Sequence, residues 1–239
     1  MALGRIMRTL TERFPHILFE GCAAGGNRFD LGILCYFPQI WASDNTDAVS
    51  RAYIQEGLSY GYPMSTVSAH VSVCPNHQTL RVTPLSTRFN VAAFGICGYE
   101  CNLVDMSRAE RSEIKTQIDI YKKWRHAMQF GSFYRQRTGN IHQWTVVDEE
   151  AGRAVGLIMQ ELVRANTQNE EYYAAGLDPE AVYSFYNRPL KHNVKEFGDL
   201  INTVAPIHIR QGSLLHGMVA KFVTMPGDCL LYTSDAADE

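Results

Sequence analysis

Two short runs hold the residue types from which acid–base chemistry on a sugar could be built. The first is Cys22-Ala23-Ala24-Gly25-Gly26-Asn27-Arg28-Phe29-Asp30 and the second is Trp41-Ala42-Ser43-Asp44-Asn45-Thr46-Asp47. Each lies where a strand-like apolar stretch gives way to turn or helix-start residues. In a (β/α)8 barrel that edge of the sheet is where active sites are assembled. A carboxylate beside a tryptophan suits a pyranose there. The indole can pack on the apolar face of the ring, and the acid can move a proton at the glycosidic oxygen. Asp44 is the candidate acid/base, with Trp41 beside it.

Each of these residues also has a plainer reading. Residues 43–47 all favour helix starts, so Asp44 could simply cap the following helix, as Asn45 or Thr46 could. Asp47 reads as a first-turn residue favoured by the helix dipole, not as a second catalyst. Trp41 alone reads as a core aromatic and Cys22 alone as an inert buried thiol. Arg28 and Asp30 read as an ion pair or as loop anchors.

The elements that must position these residues follow from periodicity. Leu3, Ile6, Met7, Leu10 and Phe14 recur at helical spacing, and Pro15 closes that segment. Residues 17–20 read as a short buried strand leading into the small-residue turn 21–26. Residues 39–41 read as a second strand. The helix after them carries Val49, Ala52 and Tyr53 on one face, with Gly57 as its stop. Residues 64–73 and 91–98 read as further strands, Gly95 and Gly98 permitting close approach. Ser107-Arg108-Ala109-Glu110 is a capping box, opening a helix that buries Ile114, Ile118, Tyr121 and Met128. This alternation predicts a parallel sheet covered by helices. Beyond about residue 130 the texture changes. Residues 144–147, 154–159, 183–186 and 207–209 read as short strands between turn signals such as Asp178-Pro179 and Asn187-Arg188-Pro189. They predict an antiparallel β-sandwich.

Composition bounds the function. The chain is 46% hydrophobic and 20% charged, which are globular values. A net charge of -3 offers no basic stripe for a nucleic acid. No apolar stretch is long enough to span a bilayer, and no apolar leader opens the chain. Six cysteines without framework spacing predict reduced thiols and a cytoplasmic protein. Cys22, Cys35, Cys97 and Cys101 are expected to be buried. Cys97 with Cys101, Cys74 with His77, and nearby His70 approach zinc-ligand spacing. Cys97 falls in a predicted strand with no knuckle of turn residues, so no metal is expected. His70 reads as a hydrogen-bonded structural histidine near the pocket rim.

Taken in order, the motifs resemble those of glycoside hydrolase family 36 α-galactosidases. That family carries Cys-x-x-Gly-Gly-x-Arg-x-Asp followed downstream by Trp-x-Ser-Asp-x-Thr-Asp. Later segments are similar too: Ser68-Ala69-His70-Val71-Ser72, Pro75-Asn76-His77-Gln78, Arg88-Phe89-Asn90-Val91, Gly95-Ile96-Cys97-Gly98-Tyr99-Glu100, Gly131-Ser132-Phe133-Tyr134-Arg135, Gly176-Leu177-Asp178-Pro179 and Phe197-Gly198-Asp199-Leu200. The similarity runs over residues 1–228.

The resemblance implies an α/β chain: the C-terminal half of a (β/α)8 TIM barrel over residues 1–128, then a partial antiparallel β-sandwich over 129–228. It implies retaining hydrolysis of terminal α-galactosyl residues in oligosaccharides such as raffinose or melibiose. The partner is thus an α-galactoside oligosaccharide, no cofactor is needed, and the parent is a homo-oligomer. Related members act on α-N-acetylgalactosamine or transfer galactose. By matched position Asp44 is the acid/base, and Cys22, Gly25 and Trp41 line the sugar pocket. Ala23 and Ala24 stand where the family commonly has Ser-Gly, and the Ala24 methyl restricts the backbone there. The family nucleophile lies in a Lys-Trp-Asp run on an earlier strand. This sequence has none, the nearest words being Lys123-Trp124-Arg125. The nucleophile is therefore expected upstream of the chain, and the chain alone is expected to be inactive. A non-catalytic carbohydrate-binding or structural module is the alternative. The last eleven residues, 229–239, resemble a translated sequencing adapter and are expected to stand outside the fold.

Overall fold

The computed structural model describes residues 2–22, 27–161, 172, 174–178, 182–187, 207–210 and 229–236. Its first half runs α1 (Ala2–Arg13), β1 (Glu20–Gly21), β2 (Gln39–Trp41), α2 (Ala48–Leu58), β3 (Val67–Ser72), α3 (Leu85–Ala92), β4 (Ile96–Glu100) and α4 (Arg108–Phe130). The strands form one sheet in the order β1-β2-β3-β4, every neighbouring pair parallel. The predicted strand–helix alternation is thus present, and all four strands end along one edge.

Local chemistry sets the boundaries. Ser107 starts α4 as predicted: its Oγ accepts from Glu110 N at 3.2 Å, and Glu110 Oε2 accepts from Ser107 N at 2.9 Å. Ile114 and Met128 are buried on its inner face, with Ile118 and Tyr121 partly so. Several expectations shift. Residues 64–66 form a 3-10 turn ahead of β3, and Gly57 lies inside the last turn of α2, which is capped at Ser59. The strand expected over 91–98 is the end of α3 followed by β4. Nearly every side chain of α3 is buried, so it shows no polar face from which a helical period could be read. The strand expected at 17–20 shrinks to Glu20–Gly21, and Ile17 and Leu18 are 54% and 87% exposed. Among the described residues β1 is the edge of the sheet, with no strand on its outer side to cover them. For the same reason Cys22 is exposed, and Cys35, in the loop beyond β1, is exposed too.

The second half holds β5 (Ser132–Thr138), β6 (Ile141–Asp148), β7 (Arg153–Gln160), β8 (Val182–Asn187), β9 (Ile207–Arg210) and β10 (Cys229–Ala236). They form an antiparallel sheet in the order β5-β6-β7-β10-β8-β9. The β5–β6 hairpin closes through Gly139 at φ +61°, a left-handed turn position that suits glycine. The predicted strands at 144–147, 154–159, 183–186 and 207–209 all lie within this sheet. The string expected to stand outside the fold supplies β10, paired to both β7 and β8. Pro179, Arg188 and Pro189 lie outside the described residues, as do residues 197–200.

One apolar core serves both sheets. Val67, Ala69 and Val71 of β3, Phe89 of α3 and Trp124 and Met128 of α4 cluster with Trp144, Val146, Val155 and Leu157 of the antiparallel sheet. Phe94 and Trp144 meet edge to face at 5.3 Å between ring centres. Burial of each large side chain contributes roughly 1.5–3 kcal/mol.

Candidate active site

The site is built where β2 runs into α2. Trp41 is the last residue of β2, and the next five residues climb over the C-terminal edge of the sheet to Asp47. Asp47 is the helix cap: its Oδ2 accepts from Ser50 N at 3.2 Å, from Ser50 Oγ at 3.0 Å and from Arg81 Nη1 at 2.6 Å. This corrects the first-turn reading of Asp47 and removes the cap reading from Asp44. Five cap-forming residues in a row leave the choice to backbone geometry, and Asp47 alone among them is placed to bond Ser50.

The other polar residues of the loop hold its shape. Ser43 Oγ accepts from Asn45 N at 3.1 Å, and Asn45 Oδ1 accepts from Asp47 N at 3.2 Å. Thr46 is tied to the neighbouring strand: its carbonyl accepts from Ser72 Oγ at 3.0 Å and its Oγ1 from Asn76 Nδ2 at 3.0 Å. Nothing in the local sequence marks Ser72, Asn76 or Arg81 as supports of this loop. They are distant in sequence, and each is an ordinary polar residue until the fold brings it to the loop.

Asp44 has a different environment. It is exposed, and its Oδ1 accepts from the Trp41 indole Nε1 at 2.9 Å. Its Oδ2 has no partner among the described residues. Trp41 is only 8% exposed. The Arg51 guanidinium carbon lies 4.8 Å from the Trp41 ring centre, and the His70 ring lies 4.5 Å from it at 36°. Arg51 is itself buried, donating from Nη1 to Ser43 O at 3.3 Å and from Nη2 to Ser68 O. Burial pushes its guanidinium down to about 10, the charge of Glu100 opposing. His70 faces Glu100 Oε2 from Nδ1 at 3.4 Å, and Gly98 beneath it admits the ring: a Cβ there would lie 2.9 Å from His70 Cδ2.

Of the other candidates, Cys22 follows β1, and the Gly21–Ile40 pairing sets it level with Trp41 on the adjacent strand end. Gly25, with Ala23, Ala24 and Gly26, lies outside the described residues. Glu20, not singled out in the sequence, spans the sheet beside them; its Oε2 accepts from Ser68 Oγ at 2.8 Å and from Gln39 Nε2. Asp30 anchors its loop by accepting from Ile33 N at 2.9 Å, and Arg28 is exposed. Among the described residues no three His, Cys, Asp or Glu side chains gather to hold a metal ion. Burial pushes the Cys97 thiol up to about 12. No helix among the described residues is long and apolar enough to cross a membrane.

A carboxylate raised beside an aromatic at the C-terminal edge of a parallel βα sheet is how barrel hydrolases place their reacting groups. Comparison with known proteins makes the relationship specific. The melibiase family profile matches residues 1–131, and that of the glycosyl hydrolase family 36 C-terminal domain matches residues 141–230. The chain belongs to the melibiase family, glycoside hydrolase family 36. It is similar to alpha-galactosidase AgaA of Geobacillus stearothermophilus, 45% identical over 77% of this chain and 26% of that protein. It is also similar to alpha-galactosidase 1 of Pediococcus pentosaceus, 44% identical over 77% of this chain and 25% of the relative. A crystal structure of a substituted AgaA in complex with raffinose matches 98% of this chain and 30% of its own, with a TM-score of 0.86 at 35% identity. The expected fold is therefore present: part of a TIM barrel joined to an antiparallel β domain. The chain spans about a quarter of the length of the curated relatives it matches.

Proposed function

We propose that this chain is the acid/base-bearing segment of a retaining α-galactosidase, with Asp44 as the group that moves the proton. The supporting observation is the division of labour between two aspartates: Asp47 caps α2, while Asp44 stands exposed at the strand end on a bond from Trp41. In the first step Asp44 gives its proton to the glycosidic oxygen. The bond from the sugar C1 to that oxygen breaks, its electron pair leaves on the oxygen, and a second carboxylate bonds C1. In the second step Asp44 takes a proton from water as the water oxygen bonds C1 and releases the carboxylate. The two carboxyl groups of such a pair stand roughly 5–5.5 Å apart. The partner is assigned to the part of the parent enzyme that this chain does not span.

Cys22, Gly25 and Trp41 are assigned to the wall of the galactose pocket, and the substrate to terminal α-galactosides of the raffinose kind. The relatives are named alpha-galactosidases, and solved AgaA structures hold raffinose or stachyose. The parent is read as a homo-oligomer. Free thiols at Cys22, Cys35, Cys74, Cys97 and Cys101 support a reducing, cytoplasmic setting. The division near residue 128 and the foreign origin of residues 229–239 belong to the same reading; the second family match ends at residue 230.

The test is reconstitution. The chain is joined in frame behind the upstream part of AgaA and assayed on nitrophenyl α-galactoside and raffinose. The chimera should release galactose and the separate chain should not. Asp44→Asn should lower turnover of raffinose by about 10²–10⁴-fold. A folded chimera that binds galactose without hydrolysis would favour the non-catalytic module instead.

A further inference from the structure

The hydrogen bond between Trp41 and Asp44 has a directional property that neither residue has alone. An indole N–H can donate but cannot accept. Asp44 Oδ1, 2.9 Å from Trp41 Nε1, must therefore be the acceptor whether the carboxyl is charged or neutral. A proton on Oδ1 would leave that oxygen the poorer acceptor and weaken the bond, so the carbonyl form of Oδ1 is favoured. The other oxygen, Oδ2, has no partner among the described residues, on a residue that is itself exposed. The two oxygens are thus made inequivalent by one fixed donor.

The donor is fixed because the indole is. Trp41 is almost wholly buried, with Arg51 and His70 packed on its ring. Arg51 is held by the carbonyls of Ser43 and Ser68, and His70 by Glu100 and the space above Gly98. The indole cannot turn its N–H away without displacing these groups.

We propose that Trp41 is a positioning residue that assigns the transferable proton of Asp44 to Oδ2, the oxygen that faces the substrate. The assignment rests on the reading of Asp44 as the acid/base. It differs from a role as a sugar platform, because it acts on proton delivery and not on holding the ring.

Substrates that share the galactosyl ring but differ in their need for a proton separate the two roles. In the chimera, Trp41→Phe keeps an aromatic ring and removes the N–H. For methyl α-galactoside, whose departing alkoxide must be protonated, kcat/KM should fall at least about tenfold. Any loss of pocket wall falls on both substrates alike, so for dinitrophenyl α-galactoside, which leaves as a stable anion, kcat/KM should fall about tenfold less than for the methyl glycoside. Equal losses on both substrates, or no loss on either, would overturn the proposal. Asp44→Asn is run alongside: if it leaves methyl α-galactoside hydrolysis intact, the acid/base reading itself has failed. A measurement on the chimera with unaltered Trp41 guards against a misfolded variant. With ¹⁵N-labelled tryptophan, the Trp41 indole N–H signal should shift between the unaltered chimera and Asp44→Ala, which removes its acceptor. An unchanged signal would equally refute the assignment.

Discussion

His142 lies wholly inside the protein with its Nδ1 2.9 Å from Glu56 Oε2, so a strand of the antiparallel sheet is bound directly to helix α2 of the parallel one. Its other ring nitrogen lies 2.7 Å from Glu161 Oε1, and Trp144 Nε1 donates to Glu56 at 3.3 Å. Tyr53 meets the imidazole edge-on at 4.6 Å. Removing the imidazole leaves two nearly buried carboxylates facing one gap. His142→Ala should therefore cost about 3 kcal/mol, and His142→Gln, which can still donate, should cost less. Denaturant unfolding of the chimera measures both, and near-equal costs would discredit this account of the junction.

Asp47 and Asp44 should respond differently to the same kind of change. Asp47→Ala removes the cap of α2 and the partner of Arg81, a loss of at least about 1 kcal/mol. Asp47→Asn retains a carbonyl acceptor for Ser50 and should be milder. Asp44→Ala should leave stability nearly untouched while abolishing proton transfer. Thermal unfolding beside turnover in the chimera distinguishes the two aspartates.

Asp148 gives a pH dependence of definite sign. Burial pushes its carboxyl up, but hydrogen bonds from His126 and the Ala151 N–H, with Arg153 nearby, outweigh that and hold it below the ordinary range. A depressed carboxyl contributes its stability above the unfolded value, about 4, and loses it as pH falls through the lower folded value. The stability gap between the unsubstituted protein and Asp148→Asn should be constant near neutrality and shrink below about pH 4. Urea unfolding at several acidic pH values follows it; a gap that widens there contradicts the sign.

Two glycines in β4 and the turn before it predict unequal outcomes. At Gly95 a Cβ would lie 2.6 Å from the Val67 carbonyl and 2.9 Å from Ala69 Cβ, groups that cannot give way. Gly95→Ala should destabilise the chimera by about 1–3 kcal/mol. At Gly98 the obstruction is the His70 ring, which can move. Gly98→Ala should spare the fold and reduce turnover by loosening the packing on Trp41. Activity and melting temperature, measured together, check the pair.

The legible parts were those written locally. The order of residues around Asp44 and Trp41, the Ser107 capping box and the strand–helix rhythm each lie within a few residues of chain. The end of α3 falls in the stretch 91–98 that reads as strand, because burial on nearly all sides erases its helical period. The identity of the cap was hidden because five residues in a row could serve. Ser72, Asn76 and Arg81 were invisible as supports of the loop because they reach Thr46 and Asp47 from 26, 30 and 34 residues away. Exposure of Ile17, Leu18 and Cys22 depends on what lies beside β1, which no local pattern encodes.

Helix α4 packs against the antiparallel sheet as well as the parallel one, and Trp124 and Met128 belong to a core drawn from both. The two sheets should therefore melt in a single transition, and a protease nick between Phe130 and Ser132 should release neither half. Over evolutionary time the same shared core discourages gene recombination at that junction. Sequences that exchange this part of the barrel should inherit the antiparallel sheet with it.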